Sequence, residues 1–241
     1  MENTRKTIKG FKPETIAKII ASLVLLVKLY TAKLEKGEFV KLVISEGNRK
    51  IGRCMNVSLA PILTCGNCKE CKYFCYDVKA CLQYENVRIA RAKNTALFKY
   101  SREEFFRQLW ERMEHKKTNK FLRFHVSGEI MDVNHFEWIV ETARRFPDFK
   151  IWTYTKMYTV INQYISEHGG KKSCIPSNLS VMMSEWKGLP IYNPYNLPVF
   201  RCVFEGEDKP KKCFECKGNC DFCKEHNCGC VNRQSAYVHL H

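Results

Sequence analysis

Cysteine dominates the chemistry open to this chain. Ten of its fourteen cysteines crowd into two windows, 65–75 and 213–230. The first reads Cys65-Gly-Asn-Cys68-Lys-Glu-Cys71-Lys-Tyr-Phe-Cys75. This C-x2-C-x2-C-x3-C run is the spacing with which one tight loop wraps an iron–sulfur cube. Gaps of two or three residues aim successive thiolates at one centre, and Gly66 and Asn67 tolerate the positive φ that such a wrap demands. Tyr76 stands where ferredoxin-type runs carry proline. The ligands are therefore all local, or three local cysteines plus one from elsewhere, with Cys54 and Cys81 as substitutes. The second window holds Cys213, Cys216, Cys220, Cys223, Cys228 and Cys230, more thiols than one four-coordinate site uses. Two 4Fe–4S clusters, one per window, are the expectation. Zinc is the alternative metal, because four-cysteine ribbons use the same C-x2-C knuckles. Isolated Cys174 and Cys202 read as small buried hydrophobes.

A second constellation lies at predicted strand ends. Phe121–Ser127 reads as a strand entering the turn Ser127-Gly128-Glu129. Alternation along it puts Arg123, His125 and Ser127 on one face. The next strand ends in Thr155 and Lys156, and a third in Ser184, Glu185 and Trp186. Three strands finishing in hydrogen-bonding residues outline a polar pocket on the ligand side of an α/β sheet. Arg123, Ser127 and Gly128 are its candidate cofactor-binding residues. His125, Glu129 and Lys156 are its candidate catalytic residues, with His125 or Glu129 moving protons.

These side chains need a scaffold of alternating elements. Strands are predicted over 38–45, 55–59, 121–127, 150–155, 179–184 and 198–204. Helices are predicted from Pro13, from a capping box at Ser101 and Glu104, and from a second cap at Asn134 and Glu137. Such alternation implies an α/β fold with a parallel (β/α) barrel-like core, partial or complete. The division is an N-terminal helical segment (1–36), a core carrying the first cysteine group (37–205) and a cysteine-rich, metal-bound tail (206–241).

Apolar residues make up 45% of the chain and aromatics 12%, which excludes disorder. Lys18 and Lys28 bound an uncharged run too short to span a bilayer, and no export signal is evident, so no membrane is expected and the chain is assigned to a reducing cytoplasm. A net charge of +15 is suited to nucleic acid or another polyanion, with basic residues gathered at 88–99 and 112–120.

The order of a strand, a cysteine-rich loop, a helix and a strand ending Ser127-Gly128-Glu129 is similar to the radical SAM barrel. In that family a Gly-Gly-Glu-like turn binds the amino group of S-adenosylmethionine, which the resemblance adds as a cofactor. The family's C-x3-C-x2-C occurs here at Cys216, Cys220 and Cys223, behind the core rather than after its first strand. More specifically, the chain resembles the gene product 88 domain family of phages and prophages from about Ile44 to His241. The resemblance rests on 46–52, Asn56-Val-Ser-Leu-Ala-Pro-Ile-Leu-Thr-Cys65, the run closing in Cys75-Tyr76, Arg88, Asn94, 124–129, 153–156, 193–195 and 216–230. It implies two ligand sets: Cys65, Cys68, Cys71 and Cys75, and Cys216, Cys220, Cys223 and Cys230. It also implies a phage setting in an infected bacterial host. The combined expectation is an iron–sulfur protein doing redox or cluster-assisted chemistry at the strand-end pocket. A divergent radical SAM-like enzyme and a zinc-stabilised nucleic-acid-binding module are the alternatives.

Overall fold

A computed structural model describes residues 10–48, 51–66 and 68–239. Asn67, the basic residues Arg5, Lys6 and Lys9, and part of the 46–52 motif lie outside the described residues. All parallel strands join one sheet, entered by a short antiparallel hairpin of β1 (Ser45–Asn48) and β2 (Gly52–Val57). β3 (Phe121–Phe124), β4 (Lys150–Thr155), β5 (Leu179–Glu185), β6 (Val199–Val203), β7 (Phe214–Glu215) and β8 (Ala236–His239) complete it. The order is β1-β2-β3-β4-β5-β6-β8-β7. The sheet stays open, with β1 and β7 as its edges, so the complete barrel does not form.

Both faces of the central strands are covered, as all-parallel strands require. On one face Met55, Val57, Leu122, Phe124, Ile151 and Val181 pack against Phe105, Phe106, Phe136 and Ile139. Those four aromatic and aliphatic side chains come from α4 (Arg102–Glu114) and α5 (Val133–Arg145). α3 (Glu85–Tyr100) and α6 (Tyr158–Glu167) extend the same layer. On the other face Cys54, Trp152 and Met182 meet Cys223, Cys230 and Val231 of the tail. The tail therefore borrows the sheet's second face as its core and adds β7 and β8 to the edge.

Local sequence sets several boundaries. Ser101 caps α4 by accepting from the Glu104 N–H at 3.1 Å. For α5 the cap is Asp132, which accepts from the His135 N–H, and not Asn134. Asn134 instead accepts from Arg102. The strand predicted over 38–45 is absent before Ser45. Its backbone bonds to side chains: Leu42 N–H to Gln108 Oε1, and Val43 N–H and C=O to the Asn94 amide.

α1 (Pro13–Glu35) begins at the expected proline and buries Ile16, Ile19 and Leu23 against Ala60, Val78 and Cys81. By length and composition it is apolar enough to cross a membrane, and Leu25 and Leu29 face outward.

Candidate functional site

The first cysteine loop leaves the carboxyl end of β2 and lies beside the turns that follow β3 and β4. Two close approaches fix it there. A Cβ on Gly128 would come within 2.7 Å of Thr64 Oγ1, and one on Gly66 within 2.6 Å of Met157 Sδ. Gly66 is not in the left-handed region, so its smallness serves packing rather than the expected backbone wrap.

All fourteen cysteines are free thiols. Cys68 hydrogen-bonds to both Cys65 and Cys71, with Cys68 and Cys71 Sγ 3.8 Å apart. That shared bond, aided by Lys156 and Lys72, pulls Cys71 down to about 6. Burial pushes Cys75 up to about 12, and it sits within electrostatic reach of Cys65. Among the described residues no three His, Cys, Asp or Glu side chains gather closely enough to hold a metal ion.

Lys156 stands against this loop. Burial opposes its charge, but Cys71, Glu129, Cys65 and Cys68 outweigh burial and hold the ammonium above its ordinary value. Glu129 Oε2 accepts from the Lys156 N–H at 2.5 Å, and its Oε1 accepts from the Ile130 N–H. Burial raises the Glu129 carboxyl from 4.5 to about 7, with Lys156 pulling the other way. Between those values the folded chain binds more protons than the unfolded one, so stability falls as pH rises from about 4.5 to 7. The loss is about 3 kcal/mol. Glu129→Gln should flatten that fall, read as urea midpoints measured from pH 4 to 8. An unchanged slope would mean that Glu129 titrates normally.

His125 departs from the strand alternation. Its φ of 55° is left-handed, which turns the ring to the helix-covered face. There His125 Nε2 lies 3.2 Å from Nε2 of His135 on α5. Burial pushes His125 down to about 3 and keeps it neutral. Arg123 remains on the opposite face, so the two do not share a wall of one pocket. Ser127 and Glu129 are buried beside the first loop's end of the sheet, and Ser127 N–H donates to Ser58 Oγ.

The second cysteine group lies under the tail-covered face. Burial raises the pKa of Cys220 and of Cys230, and nearby Cys216 adds to both. Cys223 is pushed up to about 12 by burial and by Cys228. Cys54, from β2, belongs to this group and not to the first window. Arg123 reaches into it, with its guanidinium carbon 4.6 Å from the Tyr154 ring centre. The Arg123 Nε is enclosed and, among the described residues, without a hydrogen-bond partner. Burial opposes its charge, and Tyr154, Tyr76, Cys220 and Cys230 around it favour that charge only once they ionise.

An enclosed cation facing thiols rather than a carboxylate is costly unless the thiols carry negative charge. Cysteine sulfur beside a cation is the donor chemistry an anionic metal–sulfur group uses, but among the described residues the side chains do not close on a metal-sized centre. The predicted basic surfaces are partly neutralised from within. Arg112 and Lys116 pair with Glu46, Lys120 with Asp148, and Arg91 with Asp77.

Nothing in the strand-end geometry was legible for Cys54, whose place in the second group depends on the tail folding back over β2. No curated protein and no solved structure matches the chain. A match to the Gene product 88 family runs over residues 25–188, which takes in the second half of α1 and the first cysteine loop and stops short of the tail. With two thirds of its length covered by that match, the chain belongs to the Gene product 88 family of phage proteins.

Proposed function

We propose that this chain is an iron–sulfur protein of its phage family, working in the cytoplasm of the infected host. Cys65, Cys68, Cys71 and Cys75 would hold one cluster, and Cys216, Cys220, Cys223 and Cys230 the other. When bound, such clusters supply one-electron chemistry. The observation that carries the reading is that each thiol group has a cation set against it, Lys156 at the first and Arg123 at the second. Lys156 offsets the negative charge of the first group and orients the Glu129 carboxylate through its backbone N–H. Glu129, with its raised pKa, is the residue of the 125–129 segment suited to hold or release a proton near neutrality. Neutral His125 is not suited to that role.

Two narrower readings have support of their own. A tetrahedral metal with bonds of about 2.3 Å to sulfur sets its sulfurs about 3.8 Å apart. The Cys68–Cys71 separation of 3.8 Å matches that edge and favours zinc in the first window. The packing of Gly128 on Thr64 brings the Glu129 turn to the first loop, which favours a radical SAM-like use of that end. That use needs only three cysteine ligands on the first cluster, leaving one iron open to S-adenosylmethionine.

Anaerobic purification with iron, zinc and acid-labile sulfide analysis tests the proposal. Brown protein with iron and sulfide in near-equal amounts is expected. Cys71→Ala should remove about half of both, and Arg123→Met should bleach the chromophore that Cys71→Ala spares. Zinc without sulfide would replace clusters with the ribbon-like reading, and metal-free protein would sink both.

A further inference from the structure

At the end of the sheet away from the first cysteine loop, the amino ends of β5, β6 and β8 enclose a cavity of about 400 Å³. Its floor is apolar: Ile175, Leu179, Val181, Leu197 and Pro198. Its mouth carries Lys172, Ser173, Asn196, Arg233 and Ser235, and no acidic residue lines it.

Arg233 is built into this mouth. Its backbone is left-handed, with φ 56°, a conformation a non-glycine residue adopts only when its surroundings hold it there. Nε and Nη2 both donate to the Leu179 carbonyl, at 3.1 and 2.9 Å, and Nη2 also donates to the Pro176 carbonyl. These bonds, with a longer one from Nη2 to the Ile175 carbonyl at 3.5 Å, fix the plane of the guanidinium without neutralising it. Among the described residues Nη1 makes no hydrogen bond, and neither Arg233 nor Lys172 makes an ion pair. Burial lowers the Arg233 pKa, with no anionic neighbour to restore it. A held, uncompensated cation that shares the rim of an apolar hollow with Lys172 is complementary to a molecule with one anionic end and one hydrocarbon end.

We propose that this cavity binds an amphipathic carboxylate. The carboxylate would take the Nη1 edge of Arg233 and the Lys172 ammonium, and the apolar body would cover Leu179, Val181 and Leu197. Arg233 belongs to the tail, whereas the carbonyls it grips lie at the start of β5 and just before it. An occupant would therefore clamp the tail to the body.

Calorimetry and thermal unfolding of the full chain, with three probes, test this. Hexanoate carries both features, 1-hexanol only the body, and sulfate only the charge. Hexanoate is expected to bind saturably, about tenfold more tightly than 1-hexanol, as a charge-assisted contact to Arg implies. It should raise the unfolding temperature, and sulfate should not. Lys172→Glu, at an exposed position, should weaken hexanoate about tenfold. Ser173→Trp, also exposed, should block it while leaving the circular dichroism spectrum unchanged. Equal binding of hexanoate and 1-hexanol, equal binding of sulfate, or indifference to both substitutions would each overturn the proposal.

Discussion

Asp77→Ala is expected to lower the free energy of unfolding by about 3–5 kcal/mol, the cost of stranding one half of a buried ion pair. Asp77, in α2 (Tyr76–Gln83), is almost wholly buried and takes Arg91 of α3 in a two-pronged grip. Arg91 Nη2 donates to Oδ1 at 2.9 Å and Nε to Oδ2 at 3.1 Å. Without the carboxylate the guanidinium stays enclosed and unmatched. The double variant Asp77→Leu with Arg91→Met should recover much of the loss, since neither side then carries charge. Urea unfolding of the three chains reads this directly. A loss under 1 kcal/mol for Asp77→Ala would mean that Arg91 escapes to solvent.

Gly128→Val is expected to cost about 3 kcal/mol or more, because two penalties coincide. The residue has φ +85°, and its new Cβ would sit 2.7 Å from Thr64 Oγ1 and 2.8 Å from Leu59 Cβ. Gly37 provides the control. It is also left-handed, at φ +75°, but nothing lies within 4 Å of its Cβ direction. Gly37→Ala should therefore cost only about 1 kcal/mol, the conformational part alone. Equal losses at the two sites would mean that the loop bearing Cys65 moves aside freely. On the proposed iron–sulfur reading, a Gly128 variant that keeps its fold should also lose first-window metal before second-window metal.

Long-range order explains what sequence reading caught and missed. β4 is legible over its whole length, 150–155, because a strand buried on both faces is a continuous run of apolar and β-branched residues. The stripe Phe105, Leu109 and Met113 and its Ser101 cap are equally local, and all three side chains are buried. The stretch 38–44 misleads, since its alternation is real but its backbone partners are Asn94 and Gln108, far along the chain. β7 has two residues and β8 follows a cysteine run, so neither carries a strand signal until β6 pairs with β8 and β8 in turn with β7. At the site, the polar ends of β3 and β4 were readable, and Glu129 does meet Lys156. The turning of His125 was not, because one positive φ undoes an alternation that residue types alone preserve.

The placement of β8 between β6 and β7 has a consequence for solubility. Proteolytic clipping after Glu205 would strip both tail strands and bare the backbone donors and acceptors of Val199–Val203. Naked borders of this kind recruit foreign chains and nucleate fibrous aggregates. Whatever fastens the tail thus also protects the protein from polymerising with its own copies.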